Sequence, residues 1–170
     1  MKLLLVVCMT LIFTGCVSER GFPPEHQIVN FDKVTTELYR GAQPNFNGFY
    51  FLAAQGIKTV VNLRQLDDTF PGEEVKVKAL DMDYVQIPLS GTSTLTVAQM
   101  NDILKRLEQA KAPVFVHCQF GCDRTGTVVA CWRIRHGWTN EKALAEAKAY
   151  GLSPLLPGLK HFIKEFPAQP

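Results

Sequence analysis

Cys118 and Arg124 bracket five residues, Gln119-Phe120-Gly121-Cys122-Asp123. Ahead of them runs Val114-Phe115-Val116-His117, and behind them Thr125, Gly126 and an apolar run from Val128 to Trp132. The pattern predicts a cysteine at the carboxyl end of a strand, a tight loop and then a helix N-terminus. Backbone N–H groups of such a loop converge on an anion, and the helix dipole favours negative charge there. Arg124 adds a planar fork able to hold two phosphate oxygens together. A thiol at the base of this cradle is drawn towards its ionised, nucleophilic form. Phosphate bound by residues 119–124 would then lie above a sulfur anion, which is the arrangement for covalent catalysis through a phosphocysteine.

His117-Cys118, five intervening residues and Arg124-Thr125-Gly126 resemble the signature of the cysteine-dependent protein tyrosine phosphatases, in particular their compact dual-specificity branch. The segments Leu38-Tyr39-Arg40-Gly41-Ala42-Gln43-Pro44 and Gly56-Ile57-Lys58-Thr59-Val60-Val61-Asn62-Leu63-Arg64 resemble the amino-terminal half of atypical members of that branch. The likeness covers roughly residues 38 to 150. It implies Cys118 as nucleophile and Arg124 as ligand of the phosphate and the transition state. It further implies that Thr125 assists the departing thiolate and that His117 orients and supports Cys118.

Phosphatases of this class usually carry, some thirty residues before the cysteine, a loop aspartate that protonates the leaving oxygen. The corresponding stretch here, Pro88-Leu89-Ser90-Gly91-Thr92-Ser93-Thr94, holds no carboxylate. General acid catalysis is worth roughly 10²–10⁴ in rate, so a substitute is needed or the leaving group must do without one. Asp123 can be that acid, as considered for a similar aspartate in myotubularins, or it can be a structural aspartate that holds the loop. Asp67 or Asp68 can swing in from the end of the preceding strand, although a solvated turn is their ordinary role. Arg40 and Arg64 stand at predicted strand ends, where a surface ion pair is the expectation and an extension of the phosphate site the alternative. No lysine occurs between Cys118 and Arg124, which leans away from heavily charged inositol phosphates and towards a protein phosphoresidue or another monoester.

Three functions are compatible with these residues. The first is a phosphomonoester hydrolase acting on phosphotyrosine or phosphoserine/threonine in proteins. The second is a phosphate-binding module with a vestigial site. The third is a rhodanese-like sulfurtransferase, ranked last because the Arg-Thr-Gly ending is foreign to such loops.

The elements that position the loop follow from periodicity. Strands are predicted at Ile28–Phe31, Glu37–Arg40, Lys58–Leu63 and Tyr84–Ile87, with a further one before Cys118. Helices are predicted at Asn47–Gln55, stopped by Gly56, and at Glu73–Leu80. Another follows Thr96, whose partner Gln99 completes a capping box, with Val97, Met100, Ile103, Leu104 and Leu107 as its apolar stripe. The remaining helices start at Thr125, start after Thr139, and contain Leu155, Leu159, Phe162, Ile163 and Phe166. Alternating strands and helices predict a three-layer α/β fold, a mostly parallel sheet of four to five strands between helices. The loop then falls at the carboxyl ends of the strands, where such folds bind ligands.

Residues 1–15 read as a signal peptide: Lys2 is followed by an apolar run from Leu3 to Phe13, too short to span a bilayer. Thr14-Gly15-Cys16 resembles a bacterial lipoprotein signal, with lipid on Cys16. That implies an exported, membrane-anchored protein on the periplasmic or cell-surface side; a plain secretory signal and an uncleaved anchor are the alternatives. Residues 16–30 form a tether and 31–170 one domain. A net charge of +2 gives no footing for nucleic acid. His26, His117, His136 and His161 make no pair at metal-ligand spacing, so neither metal nor cofactor is expected. Apart from Cys8 and Cys16, the thiols are Cys118, Cys122 and Cys131, which form no disulfide framework. Cys122 is read as a small loop residue, with a reversible disulfide to Cys118 as the alternative. The expected partners are a phosphorylated protein or small phosphomonoester and, through lipid, a membrane; a monomer is expected.

Overall fold

The computed structural model describes residues 21–24, 27–90 and 95–168. The expectations for the signal segment, for lipid on Cys16 and for residues 91–94 lie outside them. Five strands form one sheet: β1 (Asp32–Lys33), β2 (Leu38–Gly41), β3 (Thr59–Asn62), β4 (Asp83–Gln86) and β5 (Val114–His117). Their order is β1-β2-β5-β3-β4; β1 pairs antiparallel with β2 and all other pairs are parallel. Among the described residues six α-helices flank the sheet: α1 (Phe46–Ala54), α2 (Glu73–Ala79), α3 (Val97–Gln109), α4 (Asp123–Arg135), α5 (Asn140–Ala149) and α6 (Pro157–Glu165). The three-layer, mostly parallel α/β fold is as the sequence predicts.

The layers follow from strand alternation, because successive side chains point to opposite faces. Val60 and Phe115 pack with Ile28, Phe49, Leu52, Ile57 and Val77 under α1 and α2. Val61, Val114 and Val116 pack instead against α3, α4, α5 and α6 through residues such as Leu104, Val128, Leu144 and Ile163. Each fully buried aliphatic or aromatic side chain contributes about 1.5–3 kcal/mol relative to exposure, so both faces of β3 and β5 anchor the floor of the site.

Local signals set the helix ends. Asn45 caps α1 by accepting from Gly48 N at 2.9 Å, and Gly56 closes it at φ +79°. The Thr96–Gln99 capping box opens α3. Two predicted core positions are corrected. Val97, in the first turn of α3, is exposed, and Leu155 lies outside α6 in solvent. The tether is also shorter than predicted, since Ile28 and Asn30 are wholly buried. Ile28 enters the core under α1, and only a single bridge residue stands where a strand over 28–31 was expected.

Candidate active site

Gly41, Asn62 and His117 stand level at the carboxyl ends of β2, β3 and β5. The chain leaving each strand therefore meets the other two, and the segment from Cys118 to Arg124 curls over this edge. Gly121 makes the curl possible. Its φ of +69° suits glycine, and a Cβ there would stand 2.6 Å from the Gly41 carbonyl carbon.

Donors behind the loop hold its carbonyls. Gln43 N reaches Gln119 O at 3.2 Å, Asn30 Nδ2 reaches Phe120 O at 2.9 Å, and Arg40 Nη2 reaches Gly121 O at 2.8 Å. Planar trans peptides then turn the N–H groups of Phe120, Gly121 and Cys122 the other way, into an anion nest. Helix α4 starts directly behind, and its N-cap Cys122 makes no side-chain cap bond, so the dipole end stays open. Cys118 lies buried at the base as a free thiol. The hydroxyl of Thr125 is buried and meets no hydrogen-bond partner among the described residues. The side chains of Gln119 and Phe120 are exposed, so what they can offer an anion is backbone.

Beneath the cysteine lies a buried histidine–glutamate contact with no signature in the sequence. His117 Nε2 is 2.8 Å from Glu73 Oε1 at the start of α2, at angles outside those of a hydrogen bond. The other Glu73 oxygen accepts from Asn62 Nδ2 at 2.9 Å. Asn62 also contacts the Tyr84 hydroxyl, whose pKa is pushed up to about 12, chiefly by burial. On its other side, His117 Nδ1 is 3.3 Å from the Cys118 carbonyl. His117 is thus fixed between a carboxylate and the backbone of the cysteine.

Two of the three candidate acids have partners. Asp123 Oδ1 accepts from Ser153 N at 2.7 Å, the geometry of the structural alternative. Asp68 bridges two arginines, 2.8 Å from Arg64 Nη2 and 3.8 Å from Arg124 Nη2. Hydrogen bonding to Arg64 holds the Asp68 carboxyl below its usual pKa, and this carboxylate is no free turn residue. Asp67 is exposed.

Arg40 corrects the expectation of a surface ion pair. Its side chain is 1% exposed and stacks over the Tyr150 ring at 3.7 Å. The signal was present, because two-residue periodicity puts Arg40 on the inward face of Leu38. Arg64 does form an ion pair, its own side chain largely buried and that of Asp68 exposed, and it also donates to Gln43 Oε1 at 2.9 Å. Cys122 packs against Asn30, whose Nδ2 lies 3.3 Å from its sulfur. Cys131 is buried in the core, and burial pushes its thiol pKa up. Asn30, Gln43, Asn62 and Glu73 are functional neighbours that sequence patterns miss, since only tertiary contact brings them to the loop.

A family model described as "DSP-PTPase phosphatase fused to NAD+ Kinase" matches residues 23–156. The probable tyrosine-protein phosphatase DG1060 of Dictyostelium discoideum is 28% identical over 144 residues, covering 81% of this chain and 86% of its own length. The dual specificity protein phosphatase TpbA of Pseudomonas aeruginosa is 29% identical over 126 residues, 72% of this chain and 55% of its own. The inositol diphosphatase SIW14 of Saccharomyces cerevisiae is 27% identical over 130 residues, 72% of this chain and 44% of its own. The chain thus spans about half the length of the last two. The crystal structure of TpbA superposes with a TM-score of 0.72 at 24% identity over 87% of this chain and 91% of that one. TpbA has also been crystallised with pTyr, and that chain superposes equally well, at 0.72.

Proposed function

The chain belongs to this family of dual-specificity and tyrosine phosphatase domains, and from that premise we propose that it hydrolyses phosphorylated proteins through Cys118, with phosphotyrosine the favoured residue. The Cys118 thiolate attacks phosphorus in line, the bond to the leaving oxygen breaks, and a phosphocysteine remains. Water then attacks that phosphorus, the sulfur departs as thiolate, and inorganic phosphate leaves. The loop N–H groups and Arg124 hold the three non-bridging oxygens in both steps. The orphaned Thr125 hydroxyl donates to the departing sulfur. His117, pinned by Glu73, keeps the Cys118 backbone in register.

The observation that carries the substrate preference is the commitment of both nearby carboxylates. Asp123 is engaged by Ser153, and Asp68 is held ionised by Arg64, which makes it a poor proton donor. A phenol leaves without protonation far more readily than an alkoxide, so phosphotyrosine outranks phosphoserine and phosphothreonine. TpbA, crystallised with pTyr, supports this reading. A second reading draws on the same feature. A phosphoanhydride expels a phosphate ester that needs no proton at all, and SIW14 is named an inositol diphosphatase.

Hydrolysis of p-nitrophenyl phosphate, a phosphotyrosyl peptide, a phosphoseryl peptide and a diphosphate ester by wild type and Cys118→Ser tests the proposal. Turnover of the aryl substrates that vanishes in Cys118→Ser, with binding retained, supports it. Binding without release of phosphate by the wild type would make the domain a phosphate-binding module. Thiocyanate formed from thiosulfate and cyanide would make it a sulfurtransferase.

We further propose that residues 1–15 are a signal peptide and that lipid on Cys16 anchors the domain to a membrane on the exported side. The short apolar run ending in Thr14-Gly15-Cys16 supports this. Among the described residues no helix is long and apolar enough to cross a membrane. Radiolabelled palmitate incorporated by wild type and lost in Cys16→Ala is the expected result, and equal labelling of both would refute it.

A further inference from the structure

Arg40 is a cation sealed beneath the phosphate loop. Leu38 and Arg40 share one face of β2, and Leu38 packs there with Val114 and Val116. An apolar side chain would suit that face, yet a guanidinium occupies it at 1% exposure. Nη2 donates to Gly121 O at 2.8 Å, and the Tyr150 ring covers the guanidinium at 3.7 Å. Nε and Nη1 are buried and find no acceptor among the described residues. Burying a charge with unmet donors is unfavourable, and an aliphatic residue would fill a merely structural role with less penalty.

Among the described residues no carboxylate stands in contact with this charge. From α5 and its C-cap it faces Glu146 and Tyr150, and Glu146 is already engaged by Arg133 at 2.8 Å. From β1 comes Asp32, reached only through the Tyr150 hydroxyl that donates to it. The acid of α4 is Asp123, taken up by Ser153. From the loop it faces Cys118 and Cys122. Burial lowers the pKa of Arg40, yet a guanidinium stays protonated in proteins. Arg124, by contrast, has the Asp68 carboxylate 3.8 Å away.

We propose that Arg40 is a positioning residue for phosphoryl transfer. Its guanidinium pins the Gly121 carbonyl away from the substrate, and from behind the loop it supplies a second positive charge that favours the anionic forms of Cys118 and of bound phosphate. The proposal rests on the reading of Cys118 as nucleophile.

Alkylation by neutral iodoacetamide reports the thiolate without requiring turnover. The full chain is labelled over a pH series as wild type, Arg40→Met, Arg40→Gln and Arg40→Lys, and the modified Cys118 peptide is quantified by mass spectrometry. An opposite charge a few ångströms away shifts an ionisation by roughly one unit or more. Arg40→Met and Arg40→Gln are therefore expected to slow labelling at about pH 6 by about tenfold, with little change at about pH 9.5. Arg40→Lys, which restores the charge, is expected to recover most of the low-pH rate. Arg40→Gln stays polar while removing the charge, and Arg40→Lys controls for the lost Gly121 contact, so the two together decide the matter if Arg40→Met does not fold. A wild-type ratio of low-pH to high-pH rates in Arg40→Gln overturns the proposal and leaves the nucleophile untouched. Undiminished turnover in Cys118→Ser removes the nucleophile, whatever the labelling shows.

Discussion

Glu73 Oε1 lies 2.8 Å from His117 Nε2, with both side chains closed off from solvent. One residue opens α2 and the other ends β5, so the contact ties a helix on one face of the sheet to the strand that leads into Cys118. Leaving a buried polar group without its partner typically costs about 1–3 kcal/mol. Glu73→Ala is expected to lose stability on that order in urea unfolding and to lose aryl phosphatase activity with it. A variant as stable and as active as wild type would show that the contact holds nothing in place.

Asp68 lies 3.8 Å from Arg124, the residue proposed to hold the phosphate. Neutralising it in Asp68→Asn leaves Arg64 and Arg124 without their shared carboxylate, and inhibition by orthophosphate or vanadate is expected to tighten several-fold. The same variant has a pH signature. Arg64 depresses the Asp68 pKa in the folded protein. Its stabilisation is therefore fully present above the unfolded value of about 3.9 and fades as pH falls below that towards the folded value. Asp68→Asn should thus lose less stability than wild type on acidification through that window, as read by urea midpoints. Identical acid curves for the two proteins would contradict the assignment.

Asp123 distinguishes a structural aspartate from an acid. Its bond to Ser153 N predicts that Asp123→Ala, which removes the acceptor, costs about 1–3 kcal/mol in stability. Aryl and alkyl phosphates should slow by the same factor. A much larger loss on alkyl phosphates would show that Asp123 leaves Ser153 during turnover and delivers the proton.

Gly121 tests the loop curvature. Gly121→Ala puts a Cβ against the Gly41 and Ala42 backbone, at 2.6 and 2.7 Å, where no flexible side chain can give way. The left-handed conformation alone costs about 1–2 kcal/mol for a residue with a Cβ. A large fall in aryl phosphate turnover is expected, and retention of wild-type activity would show that the loop reads phosphate in some other shape.

Features fixed by neighbours in the chain are legible in the sequence itself. Runs of β-branched residues mark β3 and β5, the Thr96–Gln99 box and Gly56 mark helix ends, and the Cys118–Arg124 spacing locates the loop. What stays hidden is whatever depends on distant segments meeting. Glu73 looks like any acidic residue in a helix first turn until β5 places His117 against it. Asn30 sits in an apparent tether because its reason for burial is the Phe120 carbonyl, ninety residues away in sequence. Arg40 departs from the surface pair that is ordinary for a strand-end arginine, although its alternation with Tyr39 points inward. Val97 and Leu155 depart in the opposite direction, since helix periodicity continues past the point where the partner surface ends.

Rapid quenching of wild type mixed with p-nitrophenyl phosphate, followed by peptide mass spectrometry, tests the central claim most directly. A phosphoryl group is expected on Cys118 during turnover and on no other residue, with none formed in Cys118→Ser. Phosphate released at the full rate by Cys118→Ser, or a phosphoryl group trapped on another side chain, would contradict it.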